Sequence, residues 1–312
     1  MKLVSPELQR MLNEHVDAFC AAHSGVKSVV ASRLASAADM NVENVLLSAA
    51  YMNDVPLARA SVQEGADLNT VPVGNSINSI QLAAKMGHED MFRFLAISGA
   101  KMTAEEFADF PAVFVERYPS VFAAVEGRSG ILRMMKDEFA VDLSLEHSLD
   151  RKTNFAPLPH VAAMSGAYAD PERKIATLTE LHRQQVDFLL PDRAGNPLLH
   201  NMYREWRAAP EAQGDAPLKY LVGAIPALVG QKDGEERDIF ELVARSWEHG
   251  KGFALSLLEG TGTTFAAQAQ EAARRADNRD LGAIARMASE DKLKENGWLI
   301  RAGNQQRHTL DL

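Results

Sequence analysis

Leu46-Leu47-Ser48-Ala49-Ala50-Tyr51-Met52-Asn53-Asp54 and Leu82-Ala83-Ala84-Lys85-Met86-Gly87-His88-Glu89-Asp90 are two versions of one phrase, and their reading decides the fold. The first runs on to Gly65-Ala66-Asp67-Leu68-Asn69 and the second to Ser98-Gly99-Ala100. Ala50 and Ala84 stand 34 residues apart. In each copy the doubled alanine sits on a short helix, a polar pair breaks the chain, a second helix follows, and a glycine ends it at a left-handed cap. The unit is a helix hairpin, written twice.

The wording, L-x-x-A-A-x-x-G-H/D with a closing G-A-D-x-N, resembles the ankyrin repeat, a unit of about 33 residues that stacks into a solenoid. The resemblance implies an all-α, ankyrin-type solenoid of stacked helix-turn-helix repeats, some degenerate and some carrying insertions. Toward the N-terminus, Ser5-Pro6-Glu7 marks a helix start, with Leu8, Met11, Leu12 and Val16 on one face as an opening cap. Ala21-Ala22-His23-Ser24-Gly25, with Ala37-Ala38-Asp39-Met40-Asn41 beyond it, reads as a first repeat.

Later copies follow the same register. Tyr118-Pro119-Ser120-Val121-Phe122-Ala123-Ala124-Val125-Glu126-Gly127 stands where the family writes T-P-L-H-L-A-A-x-x-G, with Ile131, Leu132, Met134 and Met135 as the packed face of its second helix. Pro157-Leu158-Pro159-His160-Val161-Ala162-Ala163-Met164-Ser165-Gly166 repeats it, and Asp192-Arg193-Ala194-Gly195-Asn196-Pro197-Leu198-Leu199-His200 adds an aspartate-glycine finger turn. Weaker copies run from Asp238-Ile239-Phe240-Glu241-Leu242-Val243-Ala244 to Leu257-Leu258-Glu259-Gly260, and from Ala272-Ala273-Arg274-Arg275-Ala276-Asp277 on. The second-alanine place falls at 22, 50, 84, 124, 163, 203, 244 and 273, which gives eight units; Tyr203 breaks the alanine rule. The expected organisation is one solenoid over residues 1–312: cap and first repeat in 1–41, two well-matched repeats in 42–100, divergent repeats with insertions in 101–260, and a capping repeat in 261–312. The insertions fall at 101–117, read as an added helix, and at 144–154, 167–174 and 207–216.

Composition narrows the function. The 42 acidic against 33 basic residues, a formal charge of −9, argue against nucleic acid or an anionic membrane as a general partner. Cys20 stands alone, so no intrachain disulfide forms and thiolate metal sites are excluded, which suits a reducing cytoplasm. Met1-Lys2-Leu3-Val4-Ser5-Pro6-Glu7 lacks the apolar core of a signal peptide, and no run approaches membrane-spanning length.

Motifs for chemistry are few. His160 and His200 take the family's T-P-L-H histidine place, where the ring ordinarily bonds to a neighbouring repeat's backbone. No H-E-x-x-H or H-x-H spacing and no EF-hand loop supports a metal. Gly260-Thr261-Gly262-Thr263-Thr264 lacks a P-loop's lysine and preceding strand, and reads instead as a helix C-cap passing into the next N-cap. His147, Glu146 and Asp150 are the one acid-base cluster in the insertions, the basis of an enzyme alternative. The main expectation is no catalysis and no cofactor.

By the resemblance, the two residues after each double alanine point into a concave groove and vary with the partner. Here they are His23 and Ser24, Tyr51 and Met52, Lys85 and Met86, Val125 and Glu126, Met164 and Ser165, Arg204 and Glu205, Arg245 and Ser246, and Arg274 and Arg275. The first half carries Tyr and Met, which anchor and adapt at interfaces, and the last three units carry four arginines. The expectation is a monomeric, cytoplasmic scaffold for a protein or peptide with an apolar segment and an acidic end. The alternatives are a bacterial effector delivered into a host cell and a toxin-neutralising protein using the same groove.

Overall fold

The computed structural model describes residues 3–36, 41–72, 75–103, 118–144, 147–148, 156–164, 170–208 and 215–290. The chain divides into two compact units, residues 1–161 and 162–312. Among the described residues are sixteen α-helices, one short 3₁₀ helix and one pair of two-residue strands, so the architecture is all-α as expected.

In the first unit, α3 (Val42–Met52) with α4 (Val55–Gln63), α5 (Ser79–Met86) with α6 (Glu89–Ile97), and α7 (Pro119–Val125) with α8 (Ser129–Asp137) are three successive hairpins. The first helices pack side by side, α3 on α5 and α5 on α7, while α4, α6 and α8 form a second layer behind them. Local chemistry sets the boundaries. Asn41 and Asn78 cap α3 and α5 by accepting the N3 amide, and Gln81 closes a capping box with Asn78. The paired alanines are buried, Ala49, Ala50, Ala83 and Ala84 to the last per cent, because helix backbones approach closely only where side chains are small. Ile131, Leu132, Met134 and Met135 are the buried face of α8. Strands β1 (His147–Ser148) and β2 (Ala156–Pro157) pair antiparallel, and α9 (Leu158–Met164) lies across the division between units.

The N-terminal hairpin departs from the repeat. Helix α1 (Pro6–Ala22) starts at the expected Ser5 cap and buries Leu8, Leu12 and Val16. It runs antiparallel along α4, with Ser5 bonded to Glu64 at the far end of α4 and His15 bonded to Asp54 at its start. Ala21 and Ala22 are exposed, so they are not a helix-packing pair; the cap and the expected first helix of a repeat are one continuous helix. Helix α2 (Val26–Ala35) then packs on α3. Residues 37–40 lie outside the described residues, as do most of the insertion at 101–117 and residues 209–214 of the last insertion.

The second unit repeats the two-layer plan. Its first helices are α11 (Leu198–Ala208), α13 (Ile239–Arg245) and α15 (Ala266–Arg275), and its second layer is α10 (Pro171–Arg183), α12 (Ala216–Ala224), α14 (Trp247–Thr261) and α16 (Arg279–Ser289), with a 3₁₀ turn at Pro226–Gly230. Two finger loops precede α11 and α13 with one geometry. Asp192 accepts the amides of Ala194 and Asn196 and the Asn196 side chain, and Asp233 accepts the amides of Glu235 and Arg237 and the Arg237 guanidinium. Burial alone would raise the Asp233 carboxyl, yet these donors hold it down to about 2. Gly260 is inside the last turn of α14 rather than at a cap: a methyl there would meet Val222 at 2.5 Å and the Lys219 backbone at 3.1 Å, so glycine lets α12 cross. Gly262, with φ +61, is the C-cap, and the next N-cap falls on Phe265 rather than on a threonine.

Four second helices, α4, α6, α8 and α10, end in one left-handed residue followed by a buried apolar one: Gly65-Ala66, Gly99-Ala100, Ala140-Val141 and Gln185-Val186. Alanine and glutamine bear a steric cost there that glycine avoids. Gln185→Gly is therefore expected to stabilise the protein by about 1 kcal/mol, and Ala84→Leu to destabilise it by about 1–3 kcal/mol through overpacking. Denaturant titration of the two variants checks both signs.

Candidate functional site

The candidate site is built from the C-terminal turns of the first helices. In three hairpins these turns share one geometry. Asn53, Gly87 and Gly127 are left-handed, and the amides of Asp54, His88 and Arg128 reach back to Ala49, Ala83 and Ala123. The side chain after the left-handed residue then reaches toward the preceding hairpin. His88 Nδ1–H donates to the Ala50 carbonyl at 2.9 Å, and Arg128 Nε–H donates to the Lys85 carbonyl at 3.0 Å. In the second unit Asp277 is left-handed, and Asn278 Nδ2–H donates to the Ala244 carbonyl at 3.0 Å. These bonds place the C-terminal ends of neighbouring first helices side by side.

The expected contact residues take three different states. Tyr51, Lys85, Met86, Val125 and Glu126 are half-buried and stand together on α3, α5 and α7 of the first unit. Tyr51 leans edge-on toward Phe19, which stacks on His23, so the N-terminal hairpin extends this patch with aromatic rings. Met52 is only 9% exposed and packs within the unit, leaving little of it for a partner. Met164 is half-buried at the end of α9, and Ser165 lies outside the described residues.

In the second unit Arg204, Glu205, Arg245, Arg274 and Arg275 are exposed. Arg204 donates to Asn201, and Arg275 bridges to Glu241 on α13 and Glu271 on its own helix. Arg245 makes no ion pair among the described residues. The turn sets the last register one residue later than the double alanine indicates. The Asn278 amide bonds to Ala273, so Arg274 fills the second-alanine place and Arg275 the first contact place. Sequence reading also passed over Arg279 and Arg286, whose seven-residue spacing puts them on one face of α16.

The alanine exception at Tyr203 has a packing cause. The ring is fully buried, edge-on to Phe253 at 5.2 Å, and its hydroxyl donates to the Ser246 carbonyl at 3.2 Å. Gly250 makes the room: a methyl there would stand 2.8 Å from the Tyr203 oxygen. His200 is fully buried and its Nε2–H donates to the Arg237 carbonyl at 3.0 Å, the backbone role expected of that histidine. His160 is fully buried as well. Glu146 and Asp150 of the acid-base cluster lie outside the described residues, and so does the His147 side chain. Among the described residues no cluster of metal-holding side chains occurs, and no helix is long and apolar enough to cross a membrane.

Layered hairpins joined through their turns define a helical-repeat protein. Residues 46–96 match the family model described as ankyrin repeats (many copies), so the chain carries ankyrin repeats over that stretch. A comparison with curated proteins gives no match. Ankyrin repeats generally mediate protein–protein interaction and are typically non-enzymatic.

Burial pushes the His88 and His200 imidazoles below the ordinary histidine value, while their bonds to the Ala50 and Arg237 carbonyls act the other way. In the unfolded chain both titrate near the usual value of about 6.5. Stability is therefore full above that pH and falls as pH drops below it, because the unfolded state takes up protons the folded state resists. Thermal melts taken between about pH 7.5 and pH 5 should show this decline, and His88→Gln with His200→Gln should flatten it.

Proposed function

We propose that the protein is a non-catalytic scaffold that holds a protein or peptide partner on the C-terminal edges of its first helices. The contact residues would be Tyr51, Lys85, Met86, Val125 and Glu126 in the first unit, with Met52 a minor contributor. In the second unit they would be Met164, Arg204, Glu205, Arg245, Arg274 and Arg275. One observation supports the reading: Tyr51, Lys85, Met86, Val125 and Glu126 are half-buried at the C-terminal ends of α3, α5 and α7, which pack side by side.

The two groups differ in chemistry and should differ in kinetics. Half-buried anchors act through the dissociation rate, and exposed charges through a salt-sensitive association rate. With a partner identified by co-purification and mass measurement, surface-binding kinetics test this. Tyr51→Ala with Met86→Ala should speed dissociation at any salt, by on the order of 1–2 kcal/mol. Arg204→Glu with Arg245→Glu should slow association at low salt, and the difference should shrink as the Debye length falls to about 8 Å. If neither pair changes a rate while second-layer substitutions abolish binding, the first-helix edge is not the site.

A further inference from the structure

Helices α15 and α16 frame an open hollow of about 490 Å³ lined by Arg274, Arg279 and Arg286 with Gln270, Asp277 and Asn278. The helices meet at small residues: a methyl on Gly282 would stand 3.6 Å from the Ala273 Cβ. The much longer arginine side chains surround that contact. Arg274 is paired with Glu271 at 2.7 Å, and Arg279 and Arg286 have no ion pair among the described residues. Arg274 occupies the place that buried Ala50, Ala84 and Ala124 hold in the first unit.

We propose that this hollow receives a carboxylate-rich segment of a protein partner. The inference rests on the protein-interaction reading and names the partner's chemistry and its seat. Arg274 holds its fork toward Glu271, but Arg279 and Arg286 line the same concavity with Asp277 as its one lining carboxylate, and their forked donors match carboxylates in pairs. With a formal charge of −9, the chain attracts an acidic segment only locally, within a Debye length of about 8 Å. The same charge disfavours nucleic acid, whose binding needs cations on many phosphates.

The test is fluorescence anisotropy of a fluorescein-labelled poly-glutamate peptide with the full chain at low salt. Arg279→Glu with Arg286→Glu should weaken binding on the order of tenfold or more. Arg173→Glu with Arg193→Glu makes the same change in net charge outside the hollow and should leave most of the affinity. Circular dichroism checks that all variants keep their helix. The proposal is overturned if the peptide does not bind, if both double variants weaken it equally, or if a thymidine oligonucleotide binds the hollow more tightly than the peptide. Loss of binding only with Arg204→Glu and Arg245→Glu would also overturn the hollow while leaving the first-helix edge reading intact, and the kinetic test of Tyr51 and Met86 decides that reading separately.

Discussion

An α-helix ends on carbonyls that its own ladder cannot satisfy, and in this protein a neighbouring hairpin supplies part of the remedy. His88 serves Ala50, Arg128 serves Lys85, and Asn278 serves Ala244. Each donor follows a left-handed residue, because only that turn aims the next side chain back along the stack. A hairpin alone would have its packed face and these carbonyls in water. Stability therefore belongs to adjacent hairpins jointly, as in other solenoids.

The exceptions obey the same constraint. Asp54 occupies the donor place of the first regular hairpin, where an acid cannot donate; its neighbour is α1, and His15 of that helix meets it instead. The antiparallel run of α1 follows, since a helix that must bring His15 to the start of α4 and Ser5 to its end cannot lie in repeat register. At α13 no left-handed turn is present, since Ser246 has a negative φ of −124. There the bond is reversed: Tyr203, on the preceding first helix, donates to the Ser246 carbonyl. Its bulk is tolerated because Gly250 leaves the space that alanine pairs leave elsewhere.

The hairpins of residues 42–100 were fully legible because helix caps, small packing residues and left-handed ends are all written in local sequence. Asn78 with Gln81 and Gly87 mark both ends of α5 without help from tertiary contacts. The N-terminal hairpin was misread for the opposite reason: Ala21-Ala22 carries the right letters, but burial is decided by what packs alongside, which no local pattern states. The one-residue slip at Ala272-Ala273 is of the same kind, since two adjacent alanines are equivalent on paper and the turn chooses between them. Gly260 reads as a helix C-cap, yet it is an indentation for α12, and Gly250, which no motif marks, is one for Tyr203. In the candidate site, position along the repeat was legible and exposure was not, as Met52 shows.

The turns also bear on recognition. A side chain on a loose loop loses conformational freedom when it binds, which subtracts from affinity. Lys85 and Met86 precede Gly87, whose amide bonds to Ala83 and Ala84, and Arg128 pins the Lys85 carbonyl from the next hairpin. The backbone beneath Lys85 and Met86, two of the proposed contact residues, is therefore held from both sides. Arg275 is ordered further by Glu241 and Glu271, so its charge is partly committed inside the unit, whereas Arg245 keeps its charge for solvent or a partner. The bond that closes the stack thus also pre-orders its edge, so in the proposed reading repeat stability and partner recognition would share the same few residues.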